Sequence, residues 1–150
     1  KKHPLHLLGK QPRNKLHSQL DPGDYASQDK INGHQTVELN PKDAANRGIK
    51  DGDIVCLSNE RGACYGGAVI TPNLMSGVVV MSTGAWFDPC PKTGACRHGN
   101  PNTLTPDTAT SKLAQGPAAH SCLVEVTRCS VVTPPVSAFK TPDFVKRGET

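Results

Sequence analysis

The sequence is poor in aromatic residues and has no long hydrophobic run. It contains one Trp, two Tyr and three Phe in 150 residues. No stretch approaches the ~18 consecutive apolar residues that a membrane-spanning helix requires, and no charged segment followed by an apolar core marks a secretory signal. We therefore expect a soluble chain, long enough for one domain with a buried core. Because it opens with Lys1 rather than Met, we also expect a piece of a longer polypeptide.

Cysteine is too sparse for a fold built on disulfides, since the chain contains only six. Three of them lie in apolar, strand-like runs: Cys56, Cys64 and Cys122. A free thiol in such a run behaves as a small buried hydrophobe. Cys90, Cys96 and His98 form a C-x5-C-x-H array in a Pro- and Gly-rich loop, but zinc sites prefer shorter spacings. The array is a weak metal candidate, and a disulfide between Cys90 and Cys96 in an oxidising compartment is the alternative.

Acidic residues are missing from the first twenty positions. Those positions carry a formal charge of +5, whereas residues 21–150 carry −1, for a total of +4. The five cations are Lys1, Lys2, Lys10, Arg13 and Lys15. Such a cluster predicts an anionic partner at one place rather than a uniformly basic nucleic-acid surface. The competing interpretation is a solvated basic arm at the chain end.

Short apolar runs separated by turn residues predict a mostly β fold. The predicted strands cover residues 4–8, ending at Gly9, and residues 36–40, 54–58, 63–70, 78–81 and 123–126. Asn40 as N-cap and Pro41 at the first helical position predict a short helix that stops at Gly48. Residues 21–33 are predicted to be a mobile surface segment, and residues 84–120 a long functional loop.

The polar, Pro-containing sequence after residue 130 predicts an extended C-terminal tail over residues 131–150. Residues 1–130 then form a single β-barrel domain. Phe139 and Phe144 are the residues expected to dock the tail on the barrel.

Four sequence blocks carry a family resemblance. They are HPLHLLGKQPRNKLHSQL at residues 3–20, LNPKDAA at 39–45 leading through GI at 48–49 to DGD at 51–53, GAWFDP at 84–89, and GNPNTLT at 99–105 running on to SKLAQG at 111–116. In this order they resemble the C-terminal domain of the dimethyl sulfoxide reductase family. The resemblance implies a six-stranded double-psi β-barrel with one or more short helices.

The same resemblance implies a function. Residues 1–130 would be the cofactor-binding domain of a molybdenum-dependent oxidoreductase that reduces S-oxides or N-oxides, of the biotin sulfoxide, dimethyl sulfoxide or trimethylamine N-oxide type. The domain would clamp a bis-molybdopterin guanine dinucleotide together with preceding domains of the same polypeptide, which carry the metal's protein ligand. It would not be catalytic alone. The compartment (bacterial periplasm or cytoplasm) and the metal (molybdenum or tungsten) stay open.

A molybdopterin guanine dinucleotide presents a diphosphate and amide-like edges on its pterin and guanine. Diphosphate favours cations and backbone N–H groups, and amide side chains suit the ring edges. The cofactor-binding residues predicted from the resemblance are Leu8, Gly9, Lys10, Gln11, Arg13, His17, Ser18, Gln19, Trp86, Asn102, Gln115, Gly116, His120 and Ser121. We expect residues 8–19 and 100–121 to converge in one cleft. No catalytic residue or metal ligand is predicted.

Several neighbouring residues have a second interpretation. Trp86 is the sole Trp, and a lone Trp usually closes a core. Asn102 lies in a Gly-Asn-Pro-Asn run that is typical of a turn. Lys15 is expected to add its charge to the site, and Arg97 and His98 to line the region around Trp86.

The alternative function is a stand-alone double-psi barrel that binds a protein or a nucleic acid, since this fold is widely reused. Binding of single-stranded nucleic acid favours aromatic side chains interleaved with the basic ones, and the basic block contains none. An independent hydrolase is less favoured still, because the sequence has no recognisable nucleophile motif. Neither a nucleic-acid partner nor a membrane span is therefore predicted.

Overall fold

The computed structural model describes residues 2–130, 133 and 135–148. In chain order the elements of this part are β1 (Leu5–Lys10), α1 (Asp24–Ser27), β2 (Thr36–Leu39), α2 (Pro41–Ala45), β3 (Ile54–Ser58), β4 (Ala63–Ile70), β5 (Val78–Ser82), a 3-10 turn (Pro101–Thr103) and β6 (Cys122–Arg128). Lys1 of the basic cluster and residues 131, 132, 134, 149 and 150 of the predicted tail lie outside the described residues. Among the described helices, none has the length and apolar character needed to cross a membrane.

The strands close into a barrel in the order β1-β5-β2-β4-β3-β6. β1 runs parallel to β5, and β2 runs parallel to β4. The other four neighbouring pairs are antiparallel. Because parallel pairs need long crossover connections, the early and late parts of the chain interlock in one barrel. The predicted fold class, a mostly β six-stranded double-psi barrel with short helices, is confirmed.

Alternating apolar residues fill the barrel interior. Burial along β2, β3 and β5 alternates residue by residue, which is the period of a strand with one face on a core. The completely buried side chains include Val37, Leu39, Val55, Leu57, Val79, Met81, Val124 and Val126. These residues form a single core cluster, so the barrel is stabilised mainly by apolar burial.

β1 continues past the residue that was predicted to end it. Gly9 pairs with Met81, and Lys10 pairs with Ser82, in the parallel ladder with β5. A Cβ at Gly9 would lie 3.1 Å from the Thr83 Cγ2 atom. Glycine therefore permits a close approach between β1 and the residue that follows β5. The strand therefore carries Lys10 to the end of the barrel.

Helix α2 forms as the sequence predicts. The Asn40 side chain accepts a hydrogen bond from the backbone N–H of Lys42 at 2.8 Å, and Pro41 opens the helix. Gly48 has a φ of +62°, and the Ile49 N–H donates to the Ala44 carbonyl at 3.0 Å. This left-handed glycine and its backward hydrogen bond close the helix end.

Residues 21–33 lie mostly at the surface, as predicted, but they are anchored to the barrel at two buried residues, and their mobility stays a prediction. Asp21 has no exposed surface, and Ala26 of α1 is buried. The Lys30 ammonium donates to the Asp21 carbonyl oxygen at 2.7 Å. Composition predicted the surface position, but the sequence does not show that Asp21 and Lys30 bond each other.

The tail returns to the barrel only in part. Phe139 packs against Trp86 and His98, as expected. Phe144 is 96% exposed, so the expectation that it docks is wrong. The division of the chain at residue 130 stays a prediction.

Replacing Leu57 with Ala tests whether the barrel core holds the fold together. Leu57 is completely buried on β3, and truncation of such a side chain leaves a cavity that costs about 2–5 kcal/mol. Leu123→Ala is the matched control, because Leu123 lies on the neighbouring strand β6 and is 48% exposed; its cost should be about 0.5 kcal/mol. Urea denaturation measures both, and equal losses would contradict this account of the core.

Candidate functional site

One cleft of about 250 Å³ lies at the end of β1. It is lined by Leu7, Gly9, Lys10, Gln11, Thr83, Pro101, Asn102, Thr105, Ala119 and His120. The lining comes from the end of β1, from the residue that follows β5, and from the loop before β6. The expected convergence of the early strand and the late loop in one cleft is therefore observed.

The parallel pairing of β1 with β5 places Thr83 in this cleft. Lys10 pairs with Ser82, and the next residue, Thr83, donates its backbone N–H to the Lys10 carbonyl at 2.9 Å. Thr83 was not predicted as a site residue. The register of β1 against β5 is the signal that would have found it, and that register cannot be read from one strand alone.

A 3-10 turn presents Asn102 to the cleft. The side chain of Asn100 accepts from the Asn102 N–H at 2.9 Å, and its amide donates to the Ala85 carbonyl at 2.9 Å. Asn100 thus forms the turn, which leaves the exposed Asn102 side chain at the cleft. Thr105 follows on the same wall and is a second hydroxyl that the sequence analysis did not select.

His120 is held at the cleft through its backbone. Its carbonyl oxygen accepts a hydrogen bond from the His6 imidazole, while residue 120 itself lines the opening. His6 lies on β1 and pairs with Leu123 of β6. The pairing of these two strands therefore fixes where the late loop meets β1.

The basic cluster is divided by the fold. The Lys10 ammonium forms an ion pair with Glu38 of β2. Lys15 is buried and bound to Asp21 at 2.7 Å, so the expectation that Lys15 adds its charge to the site is wrong. Arg13 is exposed and lines a second cleft of about 470 Å³, which also includes Lys10 and Glu38. Lys10 and Arg13 are the cations of this cluster that line the two clefts, and Lys2 is also exposed.

Asp21 is the centre of a buried charge network behind the cleft. Its carboxylate lies 2.7 Å from the Lys15 ammonium and 3.1 Å from that of Lys30. It also accepts from the Gln35 amide at 3.2 Å. His98 Nδ1 lies 3.7 Å from the same carboxylate. The network connects three segments of the chain, which lie between β1 and α1, between α1 and β2, and between β5 and β6.

The environment sets the protonation of this network. Burial alone would raise the pKa of Asp21, but the hydrogen bond from Lys15 and the nearby His98 and Lys30 hold it below its ordinary value. Burial lowers the pKa of Lys15, with Asp21 opposing. Burial likewise lowers the pKa of His98. The ionised carboxylate is therefore the group around which the other three are arranged.

Trp86 ties the loop after β5 to the predicted binding segment. Its indole N–H donates to the Ser18 carbonyl at 2.9 Å, and its backbone N–H donates to Asp21 at 3.3 Å. The indole is 43% exposed, so it does not close the core. At Gly84, φ is +86°, and a Cβ would stand 1.9 Å from the His17 carbonyl oxygen. Glycine is thus required for the two loops to meet.

His17, Ser18 and Gln19 form the turn beside the cleft. His17 has a φ of 50° and its Nδ1 lies 3.0 Å from the Gln11 amide nitrogen. The Gln19 N–H donates to the Leu16 carbonyl at 2.8 Å. Gln11 lines the cleft, so His17 is linked to it through that side chain.

Other predicted residues lie apart from this cleft. Gln115 and Gly116 line a separate cleft of about 360 Å³ with residues 106–109, and the Gln115 amide donates to the Lys112 carbonyl at 3.0 Å. Leu8 lies on β1, half-buried, and Ser121 is exposed just before β6. The structure does not bring these four residues into the cleft around Lys10.

The cysteine array and His98 are structural in this arrangement. Cys90 and Cys96 are buried free thiols. The Cys96 sulfur accepts from the backbone N–H groups of Asp88 and Asn100 at 3.5 and 3.4 Å. His98 lies beside Trp86 as expected, since its Nδ1 is 3.2 Å from the Trp86 carbonyl oxygen, but it has no exposed surface. Within residues 2–130, 133 and 135–148, no group of three or more His, Cys, Asp or Glu is arranged to hold a metal ion.

The sequence model of the Molydopterin dinucleotide binding domain family matches residues 5–123. The chain belongs to this family. It is 40% identical over 147 residues to the trimethylamine-N-oxide reductase of Haemophilus influenzae, covering 95% of this chain and 18% of that protein. It is 45% identical over 122 residues to the biotin sulfoxide reductase of Cereibacter sphaeroides, covering 81% of this chain and 16% of that protein. The chain therefore spans less than a fifth of these relatives.

A solved structure supports the fold. The acetylene hydratase from Pelobacter acetylenicus aligns with a TM-score of 0.67 over 85% of this chain and 18% of that one, at 17% sequence identity. At this identity the likeness concerns the fold alone.

The cleft has the chemistry that this family's dinucleotide requires. The Lys10 ammonium can neutralise a phosphate, and Gly9 allows a ligand to approach the backbone. Gln11 and Asn102 offer amide donors and acceptors. Leu7 and other apolar residues form part of the lining. The donor set at the end of β1 thus fits a ring system that carries a diphosphate.

Replacing Asp21 with Asn tests the buried network. The change leaves the Lys15 and Lys30 ammoniums buried without their counter-charge, which should lower the free energy of unfolding by about 3–5 kcal/mol. Asp29→Asn is the control: Asp29 is exposed and accepts from Asn14 at 2.8 Å, so its loss should be about 0.5 kcal/mol.

The difference in unfolding free energy between the parent chain and Asp21→Asn should depend on pH. The folded-state pKa of Asp21 is below its ordinary value of 3.8, so its stabilisation is complete above that value and is lost as the pH falls through the folded pKa. Denaturation at several pH values should show a constant difference between the parent chain and Asp21→Asn above pH 3.8 and a narrowing one below it. A difference that widens in acid would contradict the assignment.

Proposed function

We propose that this chain is the C-terminal cofactor-binding domain of a molybdenum-dependent oxidoreductase that reduces S-oxides or N-oxides. The observation that carries the proposal is the shared cleft of Gly9, Lys10 and Gln11 with Asn102 and His120, in a chain of the dinucleotide-binding family. The names of the two relatives, a trimethylamine-N-oxide reductase and a biotin sulfoxide reductase, support the substrate class.

The residues of the cleft bind different parts of the cofactor according to their chemistry. Lys10 and the backbone around Gly9 face the diphosphate, since ionised donors and N–H groups bind phosphate oxygens most strongly. Gln11 and Asn102 hydrogen-bond the polar edges of the pterin or guanine. His120 completes the wall on the side of the late loop.

A second set of residues supports the first. Trp86 and the turn containing His17 and Ser18 border the cleft through Gln11 and the Ser18 carbonyl. Arg13, in the adjoining cleft, supplies a cation to whatever part of the cofactor extends past Lys10. Contacts by Leu8, Gln19, Gln115, Gly116 and Ser121 remain predictions of the family resemblance.

The domain acts as a clamp and needs preceding domains of the same polypeptide. The bound cofactor supplies the metal and the electron path that oxygen-atom transfer requires. The residues of this chain supply binding and orientation, and the relatives are more than five times as long as the matched region. The metal's protein ligand and the substrate pocket belong to those other domains.

A stand-alone nucleic-acid-binding barrel is less well supported. Of the basic residues before position 21, Lys15 is buried against Asp21 and Lys10 is paired with Glu38. These two pairs reduce the uncompensated charge that binds a phosphate backbone, so that, besides the paired Lys10, Arg13 and Lys2 are the exposed cations of this cluster among the described residues.

Titration with guanosine diphosphate tests the cleft, because this probe carries the guanine and the diphosphate of the proposed cofactor. Two-dimensional NMR of the 150-residue chain should show shifts at residues 9–11, 83, 102, 105 and 120. The region of Arg47 and Arg128, which lines a shallow surface on another side, should not shift. Shifts confined to that region, or no shifts at millimolar probe, would contradict the proposal for the isolated chain.

Replacing Asn102 with Ala should weaken binding of the same probe about fivefold, the effect of losing a hydrogen bond of about 1 kcal/mol. Asn73→Ala is the matched control, since Asn73 is an exposed Asn in the turn before β5. Equal affinity in the two variants would remove Asn102 from the site.

A further inference from the structure

The tail segment 137–139 is fixed to the barrel by polar contacts. The Ser137 backbone N–H and hydroxyl donate to the two Asp88 carboxylate oxygens at 2.7 and 2.9 Å. The Arg97 guanidinium also donates to Asp88, at 2.5 Å. Asp88 itself is buried, so these hydrogen bonds are protected from water and hold the segment in one place.

Phe139 then packs over the buried charge network. Its ring meets the His98 ring edge-to-face, with centroids 4.9 Å apart, and the Trp86 ring likewise at 5.3 Å. The Lys30 ammonium lies 4.7 Å from the centre of the Phe139 ring. Edge-to-face pairs and a cation over the ring are the favoured geometries for aromatic side chains.

Trp86 is the link between this segment and the candidate site. One side of the indole contacts Phe139, while its N–H donates to the Ser18 carbonyl at 2.9 Å. Trp86 is 43% exposed, so the core does not enclose the indole. Phe139, Trp86 and Ser18 therefore form a continuous chain of contacts from the tail to the turn beside the cleft.

We propose that residues 137–139 form a clasp that fixes the Trp86 indole and, through it, the backbone of Ser18 beside the cofactor cleft. Phe139 is the positioning residue of this clasp. The effect of the clasp on ligand binding rests on the proposed function, whereas its effect on the order of the Trp86 indole does not. The two are measured separately.

Hydrogen exchange of the indole N–H tests the clasp without any ligand. Trp86 is the sole Trp of the 150-residue chain, so its indole N–H gives one resolved NMR signal. Phe139→Ala should make this proton exchange about tenfold faster, since local opening no longer breaks the aromatic contacts. Phe139→Tyr keeps the ring and should restore slow exchange.

Phe144→Ala is the matched control, because Phe144 lies in the same tail and is 96% exposed. In Phe144→Ala, the Trp86 indole N–H should exchange at the same rate as in the parent chain. Backbone amide exchange in β2 and β5 should be unchanged in all three variants, which separates loss of the clasp from general destabilisation. If Phe139→Ala unfolds the chain, Phe139→Leu, which retains apolar cover without a ring, takes its place.

Two results would overturn the clasp: indole exchange in Phe139→Ala equal to that in Phe144→Ala, or equal acceleration of the indole and the strand amides. Binding is read in the same samples. With guanosine diphosphate present, the Gln11 shift should be smaller in Phe139→Ala than in the parent chain, because Gln11 contacts His17 next to Ser18. If the parent chain shows no shift at all, the proposed function fails for the isolated domain while the exchange result still decides the clasp.

Discussion

The ionised carboxylate of Asp21 is the interaction on which the candidate site depends. It lies where three loops meet, and each loop contributes a buried group that the negative charge stabilises. Lys15, Lys30 and His98 all face it. A buried ion pair adds little net stability over a well-packed apolar alternative, but removal of the carboxylate alone would leave two ammoniums buried without their counter-charge.

The barrel strands hold the candidate site in place, and the loops contribute most of its polar side chains. β1 enters the site directly from the core, since Leu7 is buried in the barrel while Gly9 and Lys10 continue the same strand to its end. The late loop is placed by the pairing of β6 with β1. Polar residues from opposite ends of the chain thus share a wall because two neighbouring strands hold both.

Local patterns were sufficient to predict the strands and helix α2. Alternating burial in β2, β3 and β5 follows from alternating residue types, and Asn40 with Pro41 begins a helix for reasons confined to one turn. The continuation of β1 past Gly9 was not predictable locally, because the partner Met81 decides it. The same holds for Lys15, whose sequence neighbourhood is that of a solvated cation, although its carboxylate partner lies six residues away in the fold's interior.

The site was predicted in part for the same reason. Gly9, Lys10, Gln11, Asn102 and His120 lie together as the family resemblance implies, whereas Thr83 and Thr105 required the strand register and the turn geometry. Gln115 has the right chemistry for a ring edge, but a loop of many residues separates it from the cleft.

Under the proposed function, the ion pair between Lys10 and Glu38 would make binding of the diphosphate an exchange of one anion for another. A diphosphate that approaches Lys10 competes with a carboxylate already seated on the same ammonium, so the gain is the difference between two attractions. Because Glu38 already restricts the Lys10 side chain, less conformational entropy is lost when the ligand binds. Selection therefore falls on anions that carry more than one charge and can also engage Gln11 and Asn102, while a simple monovalent anion gains little by replacing Glu38.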